Sequence, residues 1–402
     1  MKTEGFRFGQ MPKWSLGCLF GIVVFVCFLQ FPRSIDLRDY LIEANAAWKS
    51  SYTQIPYATH QVEQGAYFQT PLLTILLLPW GLLPLWAGKL AWGLFSVLGV
   101  LALVRSFPFP TSFGAGVFLL LFFTYPLSDV FLSGNLNFAM LCCLVFGWHG
   151  LEKKDLSSQV QGALLVALAI CIKPVALLFP AWFVLNRDWK KAGLVFIGLV
   201  GWAIFSYLYF CFFHAGSLWS TWWRLWGQAL KYYSHAAGPG RDAFQSPPAA
   251  LYRALGDLTQ FDDSTREKIA NVFGLALVGL FTLTAWWFKK RDQVGEKLRS
   301  DFCLALLLLA IYGSTPFSWA CTILFLYPLF SLYASRGRIG WAWGLAIFFA
   351  LAQKAILPAG LWGIMSHGSA HAYCLLIMEG FCLYRLLPIG KNQQCANPHL
   401  YC

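Results

Sequence analysis

The spacing of its apolar runs is the feature that most constrains how this chain can fold. Long stretches without charge recur along the sequence and are separated by links that carry most of the charged residues. A run of about 18 residues or more is typical of a helix that crosses a lipid bilayer, whereas shorter runs can also be buried or interfacial helices. Thirteen candidate runs are present, at residues 14–31, 71–84, 86–104, 111–125, 136–150, 160–172, 175–185, 192–213, 269–288, 302–312, 319–333, 339–357 and 371–386.

The composition excludes an ordinary soluble protein. Hydrophobic residues make up 58% of the chain and charged residues only 12%, which is far more apolar than a globular domain requires. We therefore expect an all-α polytopic membrane protein with a single transmembrane domain over residues 1–390 and a short cytoplasmic tail at 391–402. The net charge of +12 is interpreted as loop charge that fixes orientation and contacts anionic lipid. Membrane lipids are expected partners, and nucleic acid is not.

The first run predicts an uncleaved anchor. It follows three basic residues, Lys2, Arg7 and Lys13, and no small-residue cleavage site comes after it. Basic residues before a span favour a cytoplasmic N-terminus.

The basic clusters decide how the proline-rich run at 71–84 is interpreted. If this run crossed the bilayer, the clusters at 153–154, 187–191, 289–299 and 336–338 would all lie outside, against the positive-inside rule. If the run lies in the interface or dips in and returns, all four clusters and both termini become cytoplasmic. Its prolines favour this arrangement because each removes a backbone donor. About twelve spans are predicted, with external loops at residues 32–85 and 214–267.

Cysteine and histidine spacing gives no sign of a cofactor. None of the twelve cysteines forms a Cys-x-x-Cys pair, and the seven histidines do not cluster at metal-ligand spacing. We expect neither a metal nor another cofactor.

The segment at residues 34–50, just after the first run, concentrates three acids, Asp36, Asp39 and Glu43. At helical spacing these acids share one face beside an apolar stripe, which predicts an amphipathic helix on the outer membrane surface. The acids could simply stabilise the first turn of this helix. Alternatively, one carboxylate could remove a proton from an acceptor hydroxyl. Local chemistry does not choose between the two interpretations.

Several short motifs in order along the chain resemble those of glycosyltransferase family 87. An Asp followed by Tyr and small residues comes after the first span, an aromatic-Pro-Leu segment opens the proline-rich run, and a Lys-Pro pair ends a span. The residues that carry the resemblance are Asp36, Tyr40, Ala44 and Ala47, then Phe68 to Leu72, Ser133 to Asn137, Lys173-Pro174, Phe244 to Ser246, and Thr315 to Trp319. Departures occur at Asn135, where Gln is usual, at Phe244, where Asn is usual, and after Trp319, where His is frequent.

The resemblance implies a fold and a reaction. The family belongs to the GT-C class of multi-span bundles that take a sugar, commonly mannose, from a polyprenyl-phosphate carrier. The acceptor is often a glycolipid or envelope glycan at the outer face of the plasma membrane. By resemblance, Asp36 is the general base of an inverting transfer, with Asp39 as the nearest rival.

The resemblance also implies a donor site. Lys173 is the first candidate for the phosphate, although a lysine there could also reach the interface as an ordinary snorkelling residue. Arg241 could close over the donor or remain a solvated loop charge. The other candidates for binding the donor, which could instead cap helices, are Asn135, Asn137, Gln245 and Ser246. The residues predicted to line the substrate pocket are Tyr40, Ser318 and Trp319.

Two other classes stay open at this point. A secondary transporter would also be polytopic, but no internal repeat is visible in the sequence. A non-catalytic envelope-assembly protein could share the fold, with Asp36 acting only as a helix cap. The sequence gives no indication of oligomeric state.

Overall fold

The fold is known from a computed structural model. The structure describes residues 71–107, 136–213, 246–290, 295–314 and 324–330, together with residues 38, 41, 42, 44, 45, 116, 117 and 344. The described residues are overwhelmingly helical. Nine α-helices and one 3₁₀ turn have defined bounds: α1 Pro71–Gly81, α2 Leu85–Ser106, α3 Asn137–Leu151, α4 Leu156–Ile172, the 3₁₀ turn Pro174–Leu177, α5 Leu178–Leu185, α6 Trp189–Phe213, α7 Pro247–Leu258, α8 Asp263–Lys289 and α9 Glu296–Ser314.

Helix α9 lies at the centre of the described bundle. Residues 301–313 are all buried, and α9 packs against α5, α7 and α8. The outer surfaces of α6 and α8 are apolar and exposed, with Phe196 at 66% and Leu275 at 70% relative exposure. A bundle with a filled interior and an apolar outer surface suits a lipid environment.

Glycines allow α3 and α4 to pack with their backbones in close approach. A Cβ atom at Gly150 would lie 2.9 Å from the Cα of Gly162, and a Cβ at Gly162 would lie 2.6 Å from the carbonyl oxygen of Gly147. Small residues at such crossings let membrane helices gain van der Waals contact. Asp155 caps the N-terminus of α4, where its carboxylate accepts a hydrogen bond of 2.7 Å from the backbone N–H of Ser158.

Helix α1 forms most of the proline-rich run at residues 71–84. It contains Pro79 within the helix and ends at Gly81, and Pro84 precedes the first residue of α2. With 11 residues, α1 is about 16 Å long, roughly half the thickness of the bilayer core. This helix is too short to cross a bilayer by itself.

The described part of the acid-rich segment docks on the turn between α1 and α2. Leu41 and Ala44 are buried, whereas Arg38 and Ile42 are exposed, as the predicted apolar stripe requires. The amide of Asn45 donates a hydrogen bond of 2.7 Å to the carbonyl of Gly81. The segment was predicted to lie on the membrane surface, and its described residues are anchored on the protein as well.

Candidate active site

Charged groups from three interhelical links meet at one end of the bundle. We call this the basic end and define it by residues 148–155, 186–191, 286–290 and 295–301. The ammonium of Lys191 lies 2.7 Å from a carboxylate oxygen of Glu152 and 3.1 Å from one of Asp188. The imidazole Nε2 of His149 lies 3.2 Å from a carboxylate oxygen of Asp301. Three of the four basic clusters that the sequence placed on one face therefore share one end of the bundle.

Aromatic side chains also make contacts at the basic end. The ammonium of Lys289 lies 5.8 Å from the centre of the Trp182 ring, and the indole N–H of Trp148 donates a hydrogen bond of 2.8 Å to the hydroxyl of Ser300. The ring of Phe107, which follows α2, lies 5.7 Å from the ring of His149. Helices α2, α3, α5 and α8 thus finish at the basic end, and α4, α6 and α9 start there.

The register of α3 and α4 places two predicted donor-binding residues at one level. Gly150 and Gly162 face each other at the crossing. Asn137 lies 13 residues before Gly150, and Lys173 lies 11 residues after Gly162. Because the helices are antiparallel, both residues lie about 16 to 20 Å beyond the crossing, away from the basic end. The structure thus brings Asn137 and Lys173 to the same depth.

Lys173 occupies a break in the helical chain. Its backbone is extended, with φ −145° and ψ 121°, as expected for a residue that precedes proline. The N–H of Lys173 donates to the carbonyl of Ala169 at 2.9 Å, and its carbonyl accepts from the N–H of Ala176 at 3.1 Å. Lys173 is partly buried and Asn137 is only 1% exposed. Polar side chains are costly among apolar helices unless they bind polar groups.

Helix α7 brings Ser246 to a similar depth. A Cβ atom at Gly256 would meet the guanidinium of Arg266. Helices α7 and α8 pack on each other after a link of only four residues, so they run in opposite directions. Ser246 lies ten residues before Gly256, opposite the middle of α8, and therefore about 20 Å from the basic end. We call Asn137, Lys173 and Ser246 the polar layer. Ser246 is fully buried, and its hydroxyl accepts a hydrogen bond of 3.4 Å from the N–H of Ala249, which caps α7.

The corner between α7 and α8 is held by polar contacts. The hydroxyl of Tyr252 donates a hydrogen bond of 3.2 Å to Asp263, and the same carboxylate binds Arg266. The guanidinium carbon of Arg266 lies 5.1 Å from the centre of the Tyr252 ring. Desolvation, together with the hydrogen bond to Asp263, raises the pKa of Tyr252. The hydrogen bonds from Thr265 hold the pKa of Asp262, the cap of α8, below its ordinary value.

Two buried cations that the sequence analysis passed over lie farther from the basic end. Lys89 of α2 is 8% exposed and Arg253 of α7 is 5% exposed. Lys89 lies 18 residues before Phe107, about 27 Å from the basic end, and Arg253 lies seven residues after Ser246, about 10 Å beyond it. The sequence contains a feature that could have identified each of the two cations. Lys89 is a charge inside the apolar run 86–104, and Arg253 shares a helical face with Ser246 at a spacing of seven residues.

All of the remaining predicted site residues lie outside the described residues. These are Asp36, Asp39, Tyr40, Asn135, Arg241, Gln245, Ser318 and Trp319. Their assigned roles stay predictions. In the described part of the chain, no group of three or more His, Cys, Asp or Glu is placed to hold a metal ion, and the expectation of a metal-free reaction likewise stays a prediction.

The fold and its buried polar layer define a class of protein. Among the described helices, α2, α6 and α8 are each long and apolar enough to cross a membrane, so the chain is a membrane protein whose described part is helical. The number of twelve spans stays a prediction. A family model described as glycosyltransferase family 87 matches residues 67–312. This match covers more than half of the chain, which belongs to that family and is therefore a glycosyltransferase. No curated protein and no solved structure matches the chain significantly.

Proposed function

We propose that this chain is an inverting glycosyltransferase of the GT-C class. It moves a sugar, most simply mannose, from a polyprenyl-phosphate carrier to a hydroxyl of a glycolipid or envelope glycan. The observation that carries the proposal is the polar layer. Asn137, Lys173 and Ser246 come from three separate family motifs, and they lie at a similar depth along their helices.

The depth of the polar layer supports an active site near the outer face of the plasma membrane. By the positive-inside rule the basic end is cytoplasmic, as are both chain termini. The polar layer lies about 20 Å from that end, which is the outer half of a bilayer core about 30 Å thick. The polar layer therefore lies nearer to the outer leaflet, where a carrier lipid presents its sugar phosphate at the headgroup level.

The reaction needs a base and a site for the departing phosphate. The carboxylate of Asp36, with Asp39 as the alternative, accepts the proton of the acceptor hydroxyl. The hydroxyl oxygen then forms a bond to the anomeric carbon on the side opposite the phosphate. The bond between that carbon and the phosphate oxygen breaks, and the phosphate stays on the lipid with its negative charge. Attack from the opposite side inverts the anomeric configuration.

The remaining residues bind the donor. The ammonium of Lys173 offsets the charge of the leaving phosphate. Asn137 and Ser246, with Asn135, Gln245 and Arg241, donate hydrogen bonds to the phosphate or sugar, and Tyr40, Ser318 and Trp319 line the substrate pocket. Because the lipid phosphate is already an activated leaving group, the mechanism includes neither a nucleotide nor a metal.

The proposal is tested by comparing the envelope of cells with and without this protein. Mass spectrometry of lipids and glycans from cells that lack it should show one glycoconjugate shortened by a single sugar. Expression of the wild-type chain should restore the product, and Asp36→Asn, which keeps the shape of the side chain but removes the base, should not.

The controls distinguish loss of the catalytic base from loss of the folded protein. Asp39→Asn, made in the same background, should restore part of the product if Asp36 is the base. An unchanged glycan and lipid profile in cells without the protein would refute transfer to an envelope acceptor. Full restoration by Asp36→Asn would remove Asp36 from the mechanism.

A further inference from the structure

We propose that Arg253 binds the phosphate of the lipid-linked donor, in addition to Lys173, and that α7 is the element that presents it. This inference rests on the proposed function, because it assumes a donor that carries a lipid phosphate. It starts from a feature that the family motifs do not include, an arginine that is 5% exposed on a short amphipathic helix.

Helix α7 presents Arg253 toward the bundle. The buried residues of this helix are Pro247, Pro248, Ala249, Ala250 and Arg253, and α7 packs against α8 and α9. Leu258, the last residue of the helix, is 82% exposed. Pro247 to Ala250 form the first turn, so the buried surface of α7 is that turn together with Arg253, one turn later. Burial of a cation is costly unless anionic or polar groups meet it.

The depth of Arg253 matches that of a lipid phosphate. Arg253 lies about 10 Å farther from the basic end than Ser246, or about 30 Å from that end in total. The hydrocarbon core of a bilayer is about 30 Å thick, so with the basic end cytoplasmic Arg253 lies at the level of the outer headgroups. Lys173 lies about 10 Å deeper.

The docking of α7 on α8 holds Arg253 in place. The neighbouring Tyr252 donates a hydrogen bond to Asp263 at 3.2 Å, and Arg266 covers both the Tyr252 ring and the surface of Gly256. Arg253 also takes part in interactions within the protein. A guanidinium has five N–H donors in a planar fork, so it can keep such contacts and still bind a phosphate by two hydrogen bonds.

The test measures donor affinity in purified protein reconstituted into phosphatidylcholine vesicles. The donor is a polyprenyl-phosphate sugar, and the acceptor is the one identified from the envelope comparison. Arg253→Gln should raise the KM for the donor about tenfold, the loss expected for a charged hydrogen-bonded contact, while kcat changes much less. Arg253→Lys should give a smaller rise because it keeps the charge but loses the fork.

A matched control is available on the neighbouring helix. Lys268 of α8 is exposed and lies close to the depth of Arg253, so Lys268→Gln removes an equal charge from the same level. The proposal expects wild-type KM for this variant. A rise in KM equal to that of Arg253→Gln would overturn a specific site in favour of general surface attraction.

A second measurement does not depend on turnover. Polyprenyl monophosphate, the donor without its sugar, should raise the thermal midpoint of the wild-type protein and of Lys268→Gln. The rise should be smaller for Arg253→Lys and smallest for Arg253→Gln. An equal rise with phosphatidylglycerol would show that the site takes any lipid phosphate and would overturn the donor assignment. If Arg253→Gln does not fold, Arg253→Lys decides: wild-type KM and wild-type protection by polyprenyl monophosphate would overturn the proposal.

The outcomes separate this inference from the proposed function. If the wild-type protein transfers sugar from the lipid donor and the Arg253 variants keep its KM, only the inference fails. If the wild-type protein transfers nothing from a polyprenyl-phosphate sugar, the proposed function fails as well.

Discussion

Replacement of Gly162 by alanine tests how the α3–α4 pair is held together. A Cβ atom at this position would lie 2.6 Å from the carbonyl oxygen of Gly147, 2.7 Å from the backbone nitrogen of Leu151 and 2.9 Å from the carbonyl carbon of Gly150. All three neighbours are backbone atoms, so no side chain can rotate away. Ordinary contact begins near 3.4 Å, and the two helices must therefore separate by about 0.8 Å.

The size of the effect follows from two opposing terms. Overpacking of a tight contact costs about 1 to 3 kcal/mol, and a contact with backbone on every side belongs at the upper end of that range. Alanine gains about 1 kcal/mol over glycine in helix propensity. We therefore expect Gly162→Ala to lower the free energy of unfolding by about 2 kcal/mol.

Gly201 of α6 supplies the matched control, because a Cβ atom there would meet no atom within 4 Å. Gly201→Ala gains the helix propensity of alanine without any steric cost. This variant should be as stable as the wild type or up to about 1 kcal/mol more stable. Both variants are compared by denaturant titration in detergent micelles, followed by tryptophan fluorescence. Equal stability of the two variants would refute the close packing of α3 on α4.

Three further changes have defined outcomes. Lys89→Met replaces a buried charge by an apolar side chain of similar length, and the protein should remain folded in size-exclusion chromatography. Lys191→Met leaves Glu152 without its partner at the basic end and should cost about 1 kcal/mol of stability in a denaturant titration, with the transfer rate of the folded protein unchanged. Hydrogen bonds from Ser158 lower the pKa of Asp155 from its ordinary value of 3.8. The carboxylate of Asp155 therefore stabilises the fold fully above pH 3.8, and this stabilisation is lost as the pH falls through the lowered pKa of the folded protein. Asp155→Ala should weaken this loss in thermal unfolding measured between pH 5 and pH 2.

The sequence predicted the helical class and the common location of the basic clusters because both depend on simple patterns. Apolar runs determine where helices form, and loop charge determines which links share a face. The contacts between Lys191 and Glu152 and between His149 and Asp301 join links that are far apart along the chain, and the charge rule had grouped those links correctly. Helix bounds were less accurate. The run 175–185 was treated as one span, whereas it contains part of a 3₁₀ turn followed by the eight-residue α5.

The sequence could not show which polar residues share a depth. That depends on the register of antiparallel helices, which here follows from the glycine contacts between α3 and α4 and from the packing of α7 on α8. Lys89 and Arg253 were missed for a related reason. Neither residue belongs to a motif of the family, and the burial of an isolated cation becomes visible only when neighbouring helices cover it.

The central claim is that the basic end and the polar layer lie toward opposite sides of the membrane, with the polar layer toward the outside. Accessibility labelling tests it most directly, with single introduced cysteines at two exposed positions, Lys154 at the basic end and Asp257 on α7. A membrane-impermeant maleimide should label Asp257→Cys in intact cells, and Lys154→Cys only after the membrane is permeabilised, each above the level of the parent protein. Labelling of Lys154→Cys in intact cells would contradict the account.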